Sequence, residues 1–162
     1  MNIILIGMMG SGKTSVGKEI SKKLSCKFID TDVYIEKREK MSISDIVKSK
    51  GQNYFRDVES EAIDIACKNS NSVISTGGGC VLRSSNIRNL KENGDIWYLK
   101  CSLDELKRRI IKNNTRYLLY NTSIYEIYKE RKELYEKYSN YTIDSSDKSI
   151  HDICKIIIDN ES

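Results

Sequence analysis

The chain of 162 residues contains no proline and one histidine, and its five cysteines form no C-x-x-C pair. Without proline, its turns have to rely on Gly, Asn, Ser and Asp. The one histidine, His151, falls on the last amphipathic segment and reads as a surface residue, so no catalytic scheme is built on imidazole. The cysteines, at 26, 67, 80, 101 and 154, are odd in number and widely spaced, which argues against a disulfide framework and against a zinc site. Cys101 and Cys154 stand in apolar stretches and are expected in the core. Cys80 follows three glycines and is expected to be accessible, but nothing near it marks it as a nucleophile. No apolar run approaches the length that spans a bilayer. The first core strand starts at the N-terminus and leaves no room for a signal peptide, so a cytoplasmic protein is expected. Charge of one sign is also lacking: the net charge is +4 and the pI about 8.7, with Lys and Glu alternating along the helical segments. Nucleic-acid binding calls for a stronger excess on one face, and the tyrosines between 117 and 141 read as packing rather than base stacking. The modest excess suits anionic small molecules. The guanine-reading N-K-x-D and the protein-kinase signatures H-R-D and D-F-G are missing as well, against a regulatory GTPase and a protein kinase.

What is present is Gly-Met-Met-Gly-Ser-Gly-Lys-Thr at residues 7–14, a full match to the phosphate-binding pattern G-x-x-x-x-G-K-[ST]. The glycines let the backbone close around a polyphosphate with its N–H groups inward. Lys13 can reach the β- and γ-phosphates, and the Thr14 hydroxyl can coordinate Mg²⁺. Gly10, Ser11, Gly12, Lys13, Thr14 and Ser15 are therefore the expected nucleotide-binding residues. Such a loop needs a buried strand before it and a helix after it. Ile3-Ile4-Leu5-Ile6 reads as a strand buried on both faces, and Val16, Ile20 and Leu24 recur on one helical face. The start of that helix turns its partial positive charge toward the phosphates. A nucleoside triphosphate is the expected ligand.

Short apolar strands then alternate with amphipathic helices. Strands are expected at 26–30, 73–75, 96–99 and 141–143. Ser42, Ser102 and Ser123, each with an acidic residue three positions on, are expected to cap helices. The expected inward stripes are Phe55, Val58, Ala62, Ile65 and Ala66; Ile87 and Leu90; Leu103, Leu106 and Ile110; Ile124, Ile127, Leu134 and Tyr138; and Ile150, Ile153, Cys154 and Ile157. Five strands separated by helices imply an α/β fold, a five-stranded parallel sheet covered on both faces. There is no repeat and no linker, so one domain is expected over 1–162.

Ligands of such a sheet bind outside the carboxyl ends of the strands. Two further groups fall there. Asp30 and Asp32 follow the second strand, where one can hold Mg²⁺ or its water shell and the other can accept a proton from an attacking hydroxyl. The plainer reading is a polar turn or N-cap. Gly77-Gly78-Gly79 follows the third strand, and three consecutive glycines suit a backbone that approaches a ligand closely.

With GMMGSGKT, FIDTDVYIEKREKMSISDIV, FRDVE at 55–59, STGGG at 75–79, RYLL at 116–119 and RKELY at 131–135, the chain resembles the shikimate kinase family nearly end to end. D-x-D, F-R-x-x-E and T-G-G-G at these spacings are far more specific than the phosphate loop alone. The resemblance implies a P-loop kinase fold with a small mobile lid at about 112–123. It implies ATP- and Mg²⁺-dependent phosphorylation of the 3-hydroxyl of shikimate, giving shikimate 3-phosphate and ADP on the way to chorismate and the aromatic amino acids. It implies that Arg56 and Arg131 grip the carboxylate, where guanidinium forks suit best. Gly78 and Gly79 would contact shikimate through the backbone, and Glu59 would orient the substrate arginine. Asp32 would meet the reacting hydroxyl and accept its proton. Asp30 would support Mg²⁺ through water, with Thr14 as direct ligand. Lys13 and the lid residue Arg116 would stabilise the migrating phosphoryl group, Arg109 would lie against adenine, and Lys148 aligns with an adenine-side basic residue.

The lid departs from the family's usual R-P-L-L, because Tyr117 stands at the proline position, and the segment from Arg116 to Arg131 is shorter than usual. Without the family, Arg56 would read as a surface ion pair with Asp57 or Glu59, and Arg131 as part of a solvated charged face. Related alternatives are a kinase of another small hydroxy acid such as gluconate, or a nucleotide-binding module without catalysis. A monomer is expected.

Overall fold

The computed structural model describes residues 1–113 and 123–162. Its centre is a five-stranded, wholly parallel sheet of β1 (Asn2–Ile6), β2 (Lys27–Asp30), β3 (Ser72–Ser75), β4 (Gly94–Lys100) and β5 (Tyr141–Asp144). The strand order is β2-β3-β1-β4-β5. β1 is flanked on both sides, with Ile4 opposite Ile74 of β3 and Ile96 of β4, and all five of its residues are buried.

Alternation along β1 divides the core in two. Ile3 and Leu5 pack with Val16 and Ile20 of α1 (Lys13–Leu24) and with Ile153, Cys154 and Ile157 of α8 (Ile150–Glu161). Ile4 and Ile6 face α4 (Gln52–Cys67), α5 (Ser84–Asn93), α6 (Leu103–Asn113) and α7 (Ile124–Tyr138). A satellite cluster joins Ile35 of α2 (Thr31–Glu39) and Ile43 and Ile46 of α3 (Ile43–Lys50) to Phe55, Val58 and Ala62 of α4. The helix starts follow side-chain chemistry. Ser42, Ser123 and Ser149 each accept the backbone N–H three residues on, and Ser102 accepts that of Glu105.

Several inward expectations fail at particular positions. Leu24 ends α1 and is exposed, as are Ile65 and Ile150. α4 carries two apolar faces rather than one, with Phe55, Val58 and Ala62 toward α2 and α3, and Ile63, Ala66 and Cys67 toward the sheet. A single stripe drawn through both faces therefore picks Ile65 and misses Ile63, which is fully buried. On α7 the deep positions are Ile124, Ile127, Arg131 and Tyr135, with Leu134 and Tyr138 only partly covered. Cys80, expected to be accessible, is fully buried. Its thiol donates to Thr76 Oγ1 at 3.3 Å, and burial, with help from Glu59, pushes its pKa up to about 12. His151 is exposed, as expected.

Candidate active site

A cavity of about 530 Å³ opens over the carboxyl ends of β1, β2 and β3, which sets the phosphate loop beside Asp30, Asp32 and Gly78. Gly10 and Gly12 adopt φ of 77° and 102°, a region in which side chains with a Cβ are strained. Gly12 precedes α1 without any side-chain cap, so the first N–H groups of the helix are left for a ligand. Lys13 is buried and donates from Nζ to the Gly7 carbonyl at 2.7 Å and the Met8 carbonyl at 2.8 Å. Burial lowers its pKa to about 8, with Asp32 pulling the other way. Thr14 and Ser15 are exposed at the cavity wall.

The N-cap reading of Asp30 holds, and its second carboxylate oxygen turns to the phosphate loop. Its Oδ1 caps α2 by accepting the Asp32 and Val33 N–H groups at 3.0 and 3.2 Å. Its Oδ2 accepts the Thr14 hydroxyl at 2.8 Å. Asp32 is therefore held in the first turn of a helix that the strand-and-turn reading left out. Its Oδ1 is buried without a hydrogen-bond partner among the described residues, and so is Glu59 Oε2. The two oxygens converge on Gly77, where a Cβ would stand 2.7 Å from Asp32 Oδ1 and 2.8 Å from Glu59 Oε2. Burial first, then the charges of Glu59 and Asp30, raise the Asp32 pKa to about 7 against the pull of Lys13.

Arg56 and Glu59 lie one turn apart on α4 and pair at 2.8 Å, Nη1 to Oε1. The pair is buried, with Arg56 7 % and Glu59 1 % exposed, so it is not the surface pair that local sequence suggests. Asp57 turns outward to Arg83 instead. A Cβ on Gly79 would run into the Arg56 guanidinium. Arg131 is 5 % exposed, and its Nε is buried without a partner among the described residues. Its Nη1 lies 3.4 Å from where a Cβ on Gly78 would be. The run Lys129 to Glu133 is thus a solvated face with one member turned inward. The i, i+3, i+7, i+11 spacing of Ile124, Ile127, Arg131 and Tyr135 was the available sequence signal.

Arg109 forms the opposite wall. It reaches Glu105 Oε1 at 2.9 Å, the Gly10 carbonyl at 3.0 Å and the Ser145 carbonyl at 3.2 Å. Ser145, which sequence reasoning did not single out, is buried with its Oγ 3.1 Å from the Ser11 carbonyl and 3.0 Å from that of Lys100. No motif marks it, because its neighbours come from three distant segments. Lys148 lines the same wall and donates to the Asp144 carbonyl at 3.1 Å. Arg116, and with it residues 114–122 of the lid expected at about 112–123, lies outside the described residues.

The model of the family described as shikimate kinase matches residues 9–160. The chain belongs to the shikimate kinase family. The shikimate kinase of Caldanaerobacter subterraneus subsp. tengcongensis is 42 % identical over 161 residues, covering 97 % of this chain and 94 % of that one. The shikimate kinase of Clostridium botulinum (strain 657 / Type Ba4) is 50 % identical over 141 residues, or 84 % and 83 %. Among solved structures, the shikimate kinase from Acinetobacter baumannii in complex with shikimate superposes with a TM-score of 0.93 at 29 % identity, covering 99 % of this chain and 92 % of that one. In a shikimate kinase family member, ATP is the co-substrate and Mg²⁺ the general requirement.

The residues fit that metal. Thr14 Oγ1 and Asp30 Oδ2 place two hard oxygen donors side by side next to the phosphate loop. Among the described residues no group of three or more His, Cys, Asp or Glu could hold an ion. The two donors at Thr14 and Asp30 suit a cation that keeps several waters and takes its other ligands from phosphates. No helix of the described residues is long and apolar enough to cross a membrane.

Proposed function

We propose that this chain transfers the γ-phosphoryl group of ATP to the 3-hydroxyl of shikimate, yielding shikimate 3-phosphate and ADP, as one monomeric catalytic unit over 1–162 in the cytoplasm. The observation that carries the substrate half is the pair of buried guanidinium groups, Arg56 and Arg131, set against Gly79 and Gly78 beside Asp32. Two buried cations at the mouth of a glycine loop call for an anion, and the flat forks of arginine suit a carboxylate. Glu59 holds Arg56 in place through its buried ion pair.

With the carboxylate held there, the substrate hydroxyl meets Asp32. The hydroxyl oxygen attacks the γ-phosphorus while the bond to the β–γ bridging oxygen breaks, and ADP leaves with that electron pair. The proton passes to Asp32 Oδ1, a buried acceptor with no competing partner among the described residues. Lys13 and the α1 N-terminus face the phosphates and offset the charge that builds on them. Arg116 would add positive charge to the same group. Thr14 would hold Mg²⁺ directly and Asp30 through water, and the ion when bound neutralises phosphate oxygens. Arg109 and Lys148 border the adenine.

The deciding assay is ADP release from Mg²⁺·ATP with and without shikimate, and with gluconate as a competing acceptor. Shikimate-stimulated release is expected, with no stimulation by gluconate. Tight ATP binding without turnover on shikimate would sink the assignment. Substituting Arg131→Lys keeps the charge but loses the fork. It is expected to raise KM for shikimate by about 10- to 100-fold, as the loss of a charge-assisted pair implies, while KM for ATP stays within twofold in the same coupled assay.

A further inference from the structure

Of the segments that carry the family resemblance, RKELY ends in a residue to which the reaction gives no role, Tyr135. It is fully buried, its ring stacks on that of Tyr98 at 5.0 Å between centroids, and its hydroxyl donates to the Gly78 carbonyl. The same hydroxyl lies 3.8 Å from Met8 Sδ at the start of the phosphate loop and meets Arg131 one turn back on α7.

The glycine loop is held residue by residue. The Thr76 hydroxyl donates to the Leu5 carbonyl at 3.0 Å, the Gly77 N–H donates to Thr31 Oγ1 at 3.2 Å, and the Cys80 N–H returns to the Gly77 carbonyl at 3.2 Å. The Gly78 and Gly79 N–H groups donate to nothing among the described residues. The Leu82 N–H holds the Gly79 carbonyl at 3.1 Å, and between these anchors Tyr135 alone among the described residues grips the Gly78–Gly79 peptide. A peptide is planar and trans, so its carbonyl and the following N–H point in opposite directions. Fixing the Gly78 carbonyl therefore fixes the Gly79 N–H. Glycine resists rotation less than any other residue, so without that grip the peptide turns more readily between its anchored neighbours.

We propose that Tyr135 is a positioning residue for the acceptor substrate, its hydroxyl locking the Gly78–Gly79 peptide so that the free N–H of Gly79 and the adjoining Arg131 present one preformed surface to the hydroxy acid. This role rests on the reaction proposed above. Arg109 and Lys148, assigned above to the adenine side, line the other part of the cavity together with Ser145, and the hydroxyl touches the phosphate loop only at the Met8 sulfur, so the effect falls on the acceptor.

The test compares Tyr135→Phe with Tyr98→Phe. Both changes remove one hydroxyl from a buried, stacked ring, but the Tyr98 hydroxyl has no partner among the described residues. Loss of one hydrogen bond is expected to raise KM for shikimate about 3- to 10-fold in Tyr135→Phe, with kcat and KM for ATP within twofold. Tyr98→Phe leaves all three unchanged. Melting temperatures accompany the kinetics. If Tyr135→Phe melts below the assay temperature, a calorimetric titration with shikimate below that point reads the same ratio. An unchanged shikimate KM, a parallel rise in KM for ATP, or an equal effect of Tyr98→Phe overturns the role. A wild-type protein inactive on shikimate overturns the reaction and this role together, whereas an active wild type with an indifferent Tyr135→Phe overturns the role alone.

Discussion

Replacing Lys13 by methionine is expected to cut shikimate-dependent ADP release by about a thousandfold in kcat/KM, at the upper end for a buried transition-state donor, and to leave the protein folded. In the free protein the ammonium group is sequestered, bonded to the Gly7 and Met8 carbonyls of its own loop. It is held against the cost of burial, and its pKa falls from 10.5 to about 8. The folded state thus binds that proton less firmly than the unfolded chain does. The resulting penalty is present in full below pH 8 and fades as pH rises toward 10.5. A shift of that size corresponds to at most about 3 kcal/mol. Lys13→Met removes the titration but also strands the Gly7 and Met8 carbonyls, so the expected signature is a wild type that gains stability relative to the variant as pH rises from 8 toward 10.5. Calorimetry across that range checks the stability, and the coupled assay checks the rate. A difference in melting temperature between wild type and variant that stays constant from pH 8 to 10.5, or a variant that keeps a tenth of the activity, contradicts this account.

Asp32→Asn is expected to lower kcat by about a hundred- to ten-thousandfold, the usual worth of a general base, with a much smaller change in KM, since the amide oxygen still accepts a hydrogen bond. In the wild type, kcat/KM should climb with pH through about 7, the value to which burial, Glu59 and Asp30 raise the carboxyl. The variant should lose that limb. Stability has the opposite sign. A carboxyl whose folded pKa stands above its ordinary 3.8 contributes stability below pH 4 that is lost as pH rises through 7. At pH 8 the ionised group costs up to about 4 kcal/mol. Asp32→Asn should therefore melt above the wild type at pH 8 and match it near pH 4. An unchanged pH profile, or a variant less stable than the wild type at pH 8, would falsify the assignment. Lys13 and Asp32 both trade stability for chemistry, as strained functional groups commonly do.

Local pattern made much of the architecture legible. The β-branched run at 3–6, the serine caps at 42, 102 and 123, and the stripes of α5, α6 and α8 each carry their period within a few residues. α2 went unread because Thr31 and Ile35 are its only buried residues, too few to declare a helical face. The single stripe drawn on α4 failed because that helix packs in two directions. The site divides along the same line. GMMGSGKT states its chemistry locally, and Asp30, Asp32 and the triple glycine could be placed at strand ends. Arg131, in a run of charges, could be assigned only by resemblance, and Cys80 was expected at the surface when it is buried.

The sequence alone determined that this chain is a parallel α/β protein with a phosphate loop, because strand and helix periods and the loop's glycines act over short range. Tertiary structure decided which charges are buried together. Glu59, 27 positions from Asp32 along the chain, raises its pKa only because α2 packs against α4. Tyr135 grips Gly78 only because α7 packs against the turn that follows β3. Those distances depend on where separate elements end in space, and no local period encodes them.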